Sequence, residues 1–221
     1  MTGGSVHGAD TRQRLLDAAR HLISELGFAK VTVRDITSEA HANLAAVSYH
    51  FRDKLGLYQA VLEEGVRVAQ QWNAEVMLPR EGHTPEECLR HYVHQYLPRI
   101  IRADGKQWFH KLMRHEMTNP TPAAMWYMKQ AIMPRLDFLK AVVSDLLGEA
   151  ATEERAHRCV LSIQAQCLFY YPDPFKTAAF GDWQPRTDEE IRETAEHIFE
   201  FSLAGIRSIA NRHRGPRVRP R

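Results

Sequence analysis

The segment from Thr32 to Tyr58, TVRDITSEAHANLAAVSYHFRDKLGLY, leaves this chain few ways to fold. Thr32 is an N-cap residue whose hydroxyl can hold a free N–H of the next helical turn, and Asp35 falls at the third helical position, where the helix dipole favours an acid. Val33, Ile36 and Ala40 recur at spacings of three and four, which makes one apolar stripe. His41-Ala42 forms a tight turn, and Asn43 is placed to cap a second short helix. On that helix Val47 and Phe51 face inward together, while Ser48, Tyr49 and His50 face outward. The start of a third, long helix follows. Upstream, Asp10 caps a helix from Thr11 to Leu26 with a buried stripe of Leu15, Ala19, Leu22, Ile23 and Leu26. Gly27 ends it, as a glycine just past the last turn does, and Phe28 anchors the connection.

Two short helices joined by a tight turn, with a small, hydrogen-bonding outward face on the second, form a helix-turn-helix unit behind the upstream helix. Its second helix suits a DNA major groove about 12 Å wide. Phosphate contacts fix register and base edges specify sequence. Thr32, Tyr49, His50 and Lys54 are candidate phosphate ligands, Lys54 lying near a helix start that favours anions. Asn43, Ala45, Ala46 and Ser48 are placed for base edges, and the alanines can meet a thymine methyl. Arg34 can reach either, and Leu44 opens the same helix within the DNA-facing set. The plainer alternative is a small helical subdomain whose tyrosine and histidine are ordinary surface groups.

The punctuation beyond Tyr58 repeatedly signals helix starts. Thr84-Pro85-Glu86-Glu87 offers an N-cap, a proline at the first position and an acid at the third. Thr121-Pro122, Thr152-Glu153-Glu154 and Thr187-Asp188-Glu189-Glu190 repeat parts of that pattern. No stretch alternates as a strand does. The spacing predicts helices over 11–26, 33–40, 44–51, 53–78, 85–103, 106–117, 122–147, 153–171 and 188–211, with Pro134 kinking the seventh and a loop over 172–186. The expected class is therefore all-α, with roughly nine helices. Residues 1–9 read as a disordered leader, 10–57 as a helix-turn-helix DNA-binding domain, 58–211 as a helical ligand-binding and dimerisation domain, and 212–221 as a basic disordered tail.

Gly27-Phe28, Thr32-Val33-Arg34-Asp35-Ile36, Ala40, Asn43, Tyr49-His50-Phe51, Lys54 and Leu57-Tyr58 together resemble the N-terminal domain of TetR/AcrR-type transcriptional regulators. Two positions depart from that pattern. His41 stands where the turn glycine is usual, so a non-glycine residue must take positive φ. Ser48 stands where an aromatic is usual, which removes a large contact group. Phe109-His110-Lys111-Leu112-Met113-Arg114-His115-Glu116-Met117, followed by Asn119-Pro120-Thr121-Pro122-Ala123, is similar to the CecR-like branch of that family. The resemblance implies a ligand-responsive regulator. The expected form is a repressor that binds a palindromic operator on double-stranded DNA as a homodimer and is released by a small apolar or aromatic effector.

In that frame the last two long helices are the expected dimer surface. Val160 and Ile163 line one, and Ile191, Ala195, Ile198, Ser202 and Ile206 line the other. Two such helices per subunit can form a four-helix bundle across a two-fold axis. The plainer alternative buries these faces within one subunit. Trp108, His110, Met113, Met117 and Trp126, joined by Gln164, Cys167 and Tyr171, form the expected effector pocket, because aromatic and methionine walls with a few polar groups suit small molecules. His110, His115, Glu116 and Gln164 are its candidate polar anchors. For any one of these residues an ordinary core position is the competing explanation.

Composition narrows the remaining classes. The net charge of +2 and pI near 8.5 do not advertise nucleic acid, although a small reading head can be locally basic. Arg212, Arg214, Arg217, Arg219 and Arg221 make a cationic end, read as a solvated tail. No apolar run approaches the length of a membrane span, and residues 1–9 lack a signal core. Cys88, Cys159 and Cys167 are too sparse for a disulfide scaffold, which fits a reducing cytoplasm. Cys88, His91 and His94 are too spread along one helix for a tetrahedral metal site. No phosphate-cradling loop, GxSxG or HExxH is present, so neither an enzyme nor a cofactor is expected. The alternative outside this class is a helical small-molecule-binding or protein-interaction protein with no sequence-specific DNA binding.

Overall fold

The helices begin where the sequence supplies side-chain caps. In the computed structural model Thr32 and Asp35 exchange hydrogen bonds at the start of α2 (Val33–Glu39), Asp35 N–H to Thr32 Oγ1 at 3.2 Å and Thr32 N–H to Asp35 Oδ2 at 2.8 Å. Thr84 and Glu87 do the same at α5 (Pro85–Arg102), at 3.2 and 2.7 Å. Thr187 and Glu190 repeat it at α10 (Asp188–His213), at 3.1 and 3.0 Å. Thr152 caps α9 (Glu153–Phe169) by accepting from Arg155 N–H at 3.2 Å. Each exchange satisfies donors that a helix start otherwise leaves orphaned.

The structure describes residues 4–102, 107–172, 176, 178–179 and 184–213, and among these every regular element is helical. The remaining helices are α1 (Gly4–Leu26), α3 (Leu44–Phe51), α4 (Lys54–Val76), α6 (Gln107–Thr118), α7 (Pro122–Tyr127) and α8 (Met133–Leu147). Two expectations need correction. The leader does not reach Ala9, because α1 already runs from Gly4; adding residues to an existing helix is far cheaper than nucleating one. The expected helix over 122–147 is broken, with a π-helical turn at Met128–Ile132 separating α7 from α8. Pro134 has no N–H to give and its ring crowds the carbonyl four residues back, so the turn before it widens. The basic segment from Arg214 onward and most of the expected 172–186 loop lie outside the described residues.

The chain divides into two compact units, Met1–Gln70 with Asp104–Ile132, and Gln71–Ala103 with Met133–Arg221. The boundary expected near residue 57 is thus displaced. Leu57, Tyr58, Val61, Leu62, Val66 and Ala69 of α4 share one core with Leu15, Ala19 and Ile23 of α1 and with Phe109, Leu112, Tyr127 and Ala131 further along the chain. The second core takes Leu89, Tyr92, Val93 and Leu97 of α5, Leu139, Val142 and Val143 of α8, Ile163 and Cys167 of α9, and Ala195, Ile198, Phe199 and Ile206 of α10.

Candidate nucleic-acid interface and sensor site

Local chemistry sets the shape of the reading head. Ala42 N–H donates to Thr37 O at 2.9 Å and His41 N–H to Ser38 O at 3.2 Å, the paired bonds of a Schellman turn at the end of α2. His41 takes φ +48° there, at the position where the resembled pattern has a glycine. Arg14 of α1 braces the same turn, its Nη1 donating to Ala40 O at 3.0 Å and His41 O at 3.4 Å. Gly27 ends α1 at φ +86°, a conformation glycine adopts without strain.

The second short helix turns its apolar side inward and its polar side out. Val47 and Phe51 are buried, while Leu44, Ala45, Ser48 and Tyr49 are exposed, Tyr49 at 84%. Thr32, Arg34 and Asn43 are also exposed, and Ala46 and His50 are half-buried. Asn43 caps α3, its Oδ1 accepting Ala46 N–H at 2.8 Å, so only its amide donors remain for a base edge. Lys54 is more committed than expected. Its ammonium donates to Phe28 O at 2.6 Å and sits 4.2 Å from the Phe28 ring centroid. Burial holds its pKa below the usual lysine range, with Asp35 partly opposing. Lys54 is thus an internal strut, because its long stem reaches the carbonyl that closes the α1–α2 connection. Lys30 and Arg52 are exposed cations beside this face that the sequence pattern did not single out. Arg52 takes φ +74° at the end of α3, a position with no local signature.

The expected effector residues divide between the two units. In the first, Trp108 lies under Arg20, at 5.6 Å, and Met113 packs on the core. Trp126 is 44% exposed, a poor position for a pocket wall. His110 and Met117 lie on α6, their side chains outside the described residues. His115 stands against Gly27, and Glu116 is spent internally. The Glu116 carboxylate accepts the Tyr58 hydroxyl and, at 2.7 Å, Thr121 N–H. Burial, then this bond, pushes the Tyr58 phenol above its ordinary range. These placements correct the expected anchor role of Glu116 and the expected pocket role of Trp108 and Met113, since a core needs the same aromatic and sulfur side chains as a pocket.

In the second unit Gln164 and Cys167 are buried and Tyr171 packs at the edge of the core. Gln164 belongs to a polar cluster that the sequence pattern did not reveal. Arg135 of α8 is only 8% exposed, and its Nη1 donates to Gln164 Oε1 at 3.0 Å and to the Tyr92 hydroxyl. Gln164 Nε2 also donates to Tyr92 Oη, at 2.7 Å. The guanidinium lies 4.2 Å from the Tyr96 ring centroid, a cation–π contact. The available signal was Arg135 standing in the apolar register of Leu139, Val142 and Val143, where a solvated arginine would not sit.

The expected dimer residues are corrected as well. Val160, Ile163, Ile191, Ala195, Ile198, Ser202 and Ile206 are all at least nine-tenths buried within the single chain. Their stripe closes the second unit's own core. Cys88 is also core, His91 meets Glu75 O at 2.8 Å, and His94 meets Glu196 at 2.9 Å.

An outward α3 on a braced three-helix head is a helix-turn-helix arrangement, and every regular element of the second unit among the described residues is helical. Residues 15–61 match the bacterial regulatory proteins of the tetR family, and residues 85–206 match the C-terminal domain of the HTH-type transcriptional dual regulator CecR. The chain belongs to the TetR family, with a C-terminal domain of the CecR type. Its family and relatives are transcriptional regulators, not enzymes. Over 132 residues it is 26% identical to the HTH-type transcriptional regulator SrpR of Pseudomonas putida, covering 49% of this chain and 62% of that protein. Over 58 residues it is 38% identical to an HTH-type transcriptional repressor of Mycobacterium tuberculosis, covering 26% of this chain and 31% of that one. The chain thus matches less than two thirds of the length of these relatives. In fold it is similar to AibR, solved with isovaleryl coenzyme A and operator DNA, with a TM-score of 0.62 at 16% identity over 86% of this chain and 97% of that one. It is also similar to the hemolysin II regulator HlyIIR, with a TM-score of 0.59 at 19% identity over 88% and 97%. No helix among the described residues is long and apolar enough to cross a membrane.

Proposed function

We propose that this chain is a ligand-responsive repressor that binds a palindromic operator as a homodimer and releases it when a small, largely apolar effector binds the second unit. The observation that carries this reading is the outward face of α3. Tyr49, Ser48, Ala45 and Leu44 are exposed on a helix whose opposite side is locked into the core, as base and phosphate contacts require. Asn43 and Ser48 read base edges together with Ala45 and Ala46. Thr32, Tyr49 and His50 hold phosphates, with Lys30 and Arg52 as added cations, and Arg34 reaches either. The cytoplasm, where operator DNA lies, suits three buried free thiols.

Dimerisation uses the outer sides of α9 and α10. Leu161 is 55% exposed, Leu168 47% and Phe201 65%, at helical spacing with the small residues Ala165, Ala204 and Gly205. Two heads on a two-fold axis then meet half-sites one helical turn apart. Effector binding is relayed along α4, one continuous helix whose Val76 end packs in the second core and whose Leu57 end packs in the first. Release requires the effector to bind the non-DNA spacing of the heads more tightly than the DNA-bound one.

The test is retardation of DNA fragments from the region upstream of this protein's own gene. Sharp, salt-sensitive retardation at a partly palindromic site supports the reading. Folded dimer that retards none of these fragments at low salt, including those with paired repeats, sinks it.

A further inference from the structure

Arg135 holds a charge that no described residue around it balances. The guanidinium is nine-tenths buried among Tyr92, Tyr96, Gln164 and Cys167, themselves 0%, 8%, 6% and 0% exposed. None of the ion pairs among the described residues includes it. Both of its described hydrogen bonds go to neutral oxygens. A buried cation without a counter-charge is costly, and a carboxylate is its usual remedy. The neighbours do not become anions: burial pushes the Cys167 thiol up to about 12, and pushes the Tyr92 and Tyr96 phenols above their ordinary range.

The hydrogen-bonding capacity of the cluster points the same way. Arginine has no acceptor, so the Gln164 amide must turn Oε1 toward it, which leaves Nε2 to donate to Tyr92. Tyr92 Oη then accepts from both Arg135 and Gln164. With both lone pairs used, its own proton is left to donate. The cluster is rich in donors and short of acceptors, and a carboxylate brings both the missing acceptors and the missing charge. The surroundings favour an organic body on that head group, since the Tyr92 ring stacks on Phe138 at 6.4 Å and Tyr96 covers the guanidinium.

We propose that Arg135 anchors the effector and that the effector is a small organic monocarboxylate, an assignment that rests on reading the second unit as the sensor. A single buried arginine balances one negative charge, so a phosphate dianion is the poorer match. Tyr92 and Tyr96 belong to α5, Arg135 to α8, and Gln164 and Cys167 to α9. An anion that draws these donors together therefore changes the mutual packing of three helices, the kind of differential contact that switching needs.

The test measures thermal stability of the full chain with benzoate, phenylacetate and octanoate, each against its neutral amide, with operator retention followed in parallel. At least one acid is expected to stabilise the chain and to bind about ten-fold or more tighter than its amide. That preference is lost in Arg135→Gln. It is also lost in Gln164→Glu, which supplies an internal carboxylate beside Nη1 and raises the melting temperature without added ligand. Arg135→Lys retains part of the preference. Equal response to acids and amides, no response to any acid, or a preference that survives in both variants overturns the assignment. Should Arg135→Gln fail to fold, Gln164→Glu alone decides. Operator release by a neutral compound, with no acid preference, overturns the anion assignment but not the sensor reading. An Arg135-dependent acid preference that never alters operator retention overturns the sensor reading instead.

Discussion

Tyr58 donates its hydroxyl proton to the Glu116 carboxylate inside the first unit, tying α4 to α6. Glu116 in turn holds Thr121 N–H, which fixes the start of α7. Phenylalanine at position 58 would keep the ring and remove the donor, leaving a carboxylate oxygen under-bonded in a nearly dry site. Tyr58→Phe is expected to destabilise the protein by about 1–3 kcal/mol. Urea denaturation of the two proteins measures it, and an unchanged midpoint would show that the bond contributes nothing.

Gly65 lets α4 approach α6. A Cβ built there would lie 2.8 Å from Phe109 Cε2 and 3.0 Å from Cδ2. The ring is itself buried and has little room to move. Gly65→Ala should therefore cost about 1–3 kcal/mol through overpacking. Phe109→Leu should relieve part of that cost in the double variant. Independent, additive losses in a double-mutant cycle would contradict the close approach.

His41 sits where a Schellman turn favours glycine. His41→Gly should change stability by less than about 1 kcal/mol, because relief of strain is offset by the freedom glycine gains when unfolded. His41→Ile, β-branched at positive φ, should cost about 1–2 kcal/mol. Arg14→Gln should weaken the same turn, since it removes the donor to Ala40 O and His41 O. Thermal melts of the three variants check the order.

The DNA-facing residues should separate by role. Tyr49→Ala and Arg52→Ala are expected to weaken binding to all sequences. Where the substitution removes an ionic bond to phosphate, the salt dependence of log affinity should fall by about 1. Asn43→Ala would also remove the α3 cap, at about 1 kcal/mol of stability. Asn43→Ser keeps a capping oxygen and removes only the amide donors, so it isolates base reading, as Ser48→Ala does from the hydroxyl side. Binding measured across a randomised half-site should show altered preference in the last two and uniform weakening in the first two.

The capping acids set an acid limit on stability. Asp35, Glu87 and Glu190 are each held below the ordinary carboxylate range, first by backbone hydrogen bonds at the helix start they cap, Thr32, Thr84 and Thr187. A depressed folded pKa contributes stability that is complete above the unfolded value, near about 4, and is lost as pH falls through the lower folded value. The denaturation midpoint should stay level from neutral pH to about 5 and then drop. In the Asp35→Asn, Glu87→Gln and Glu190→Gln triple variant that drop should be shallower.

The helix starts at Thr32, Thr84, Thr152 and Thr187 were legible because a cap and its helix are neighbours in sequence. The helix-turn-helix was legible for the same reason. The outward side of α3 follows from Val47 and Phe51 lying one turn apart, and positive φ at His41 followed from the resemblance, whose pattern has a glycine at this turn. The π turn before Pro134 was half legible, since proline announces a disturbance but not its form.

What surrounds each apolar stripe was not written locally. Ile191, Ala195, Ile198 and Ile206 have the same spacing whether they meet another subunit or their own core, and only the packing of α10 on α5, α8 and α9 assigned them inward. That left Leu161, Leu168 and Phe201 outside. Trp108 and Glu116 read as pocket residues until Arg20 and Tyr58, remote in the chain, came to occupy them. Arg135 is the extreme case. A charge in an apolar register signals something unusual, but it took three helices to bring Tyr92, Tyr96 and Gln164 around it. Sequence was enough for the helices, their caps and the helix-turn-helix, because those depend on interactions within a few residues. Only the tertiary structure decided what each apolar face packs against and where the unbalanced cation lies, because those are fixed by residues far apart in the chain.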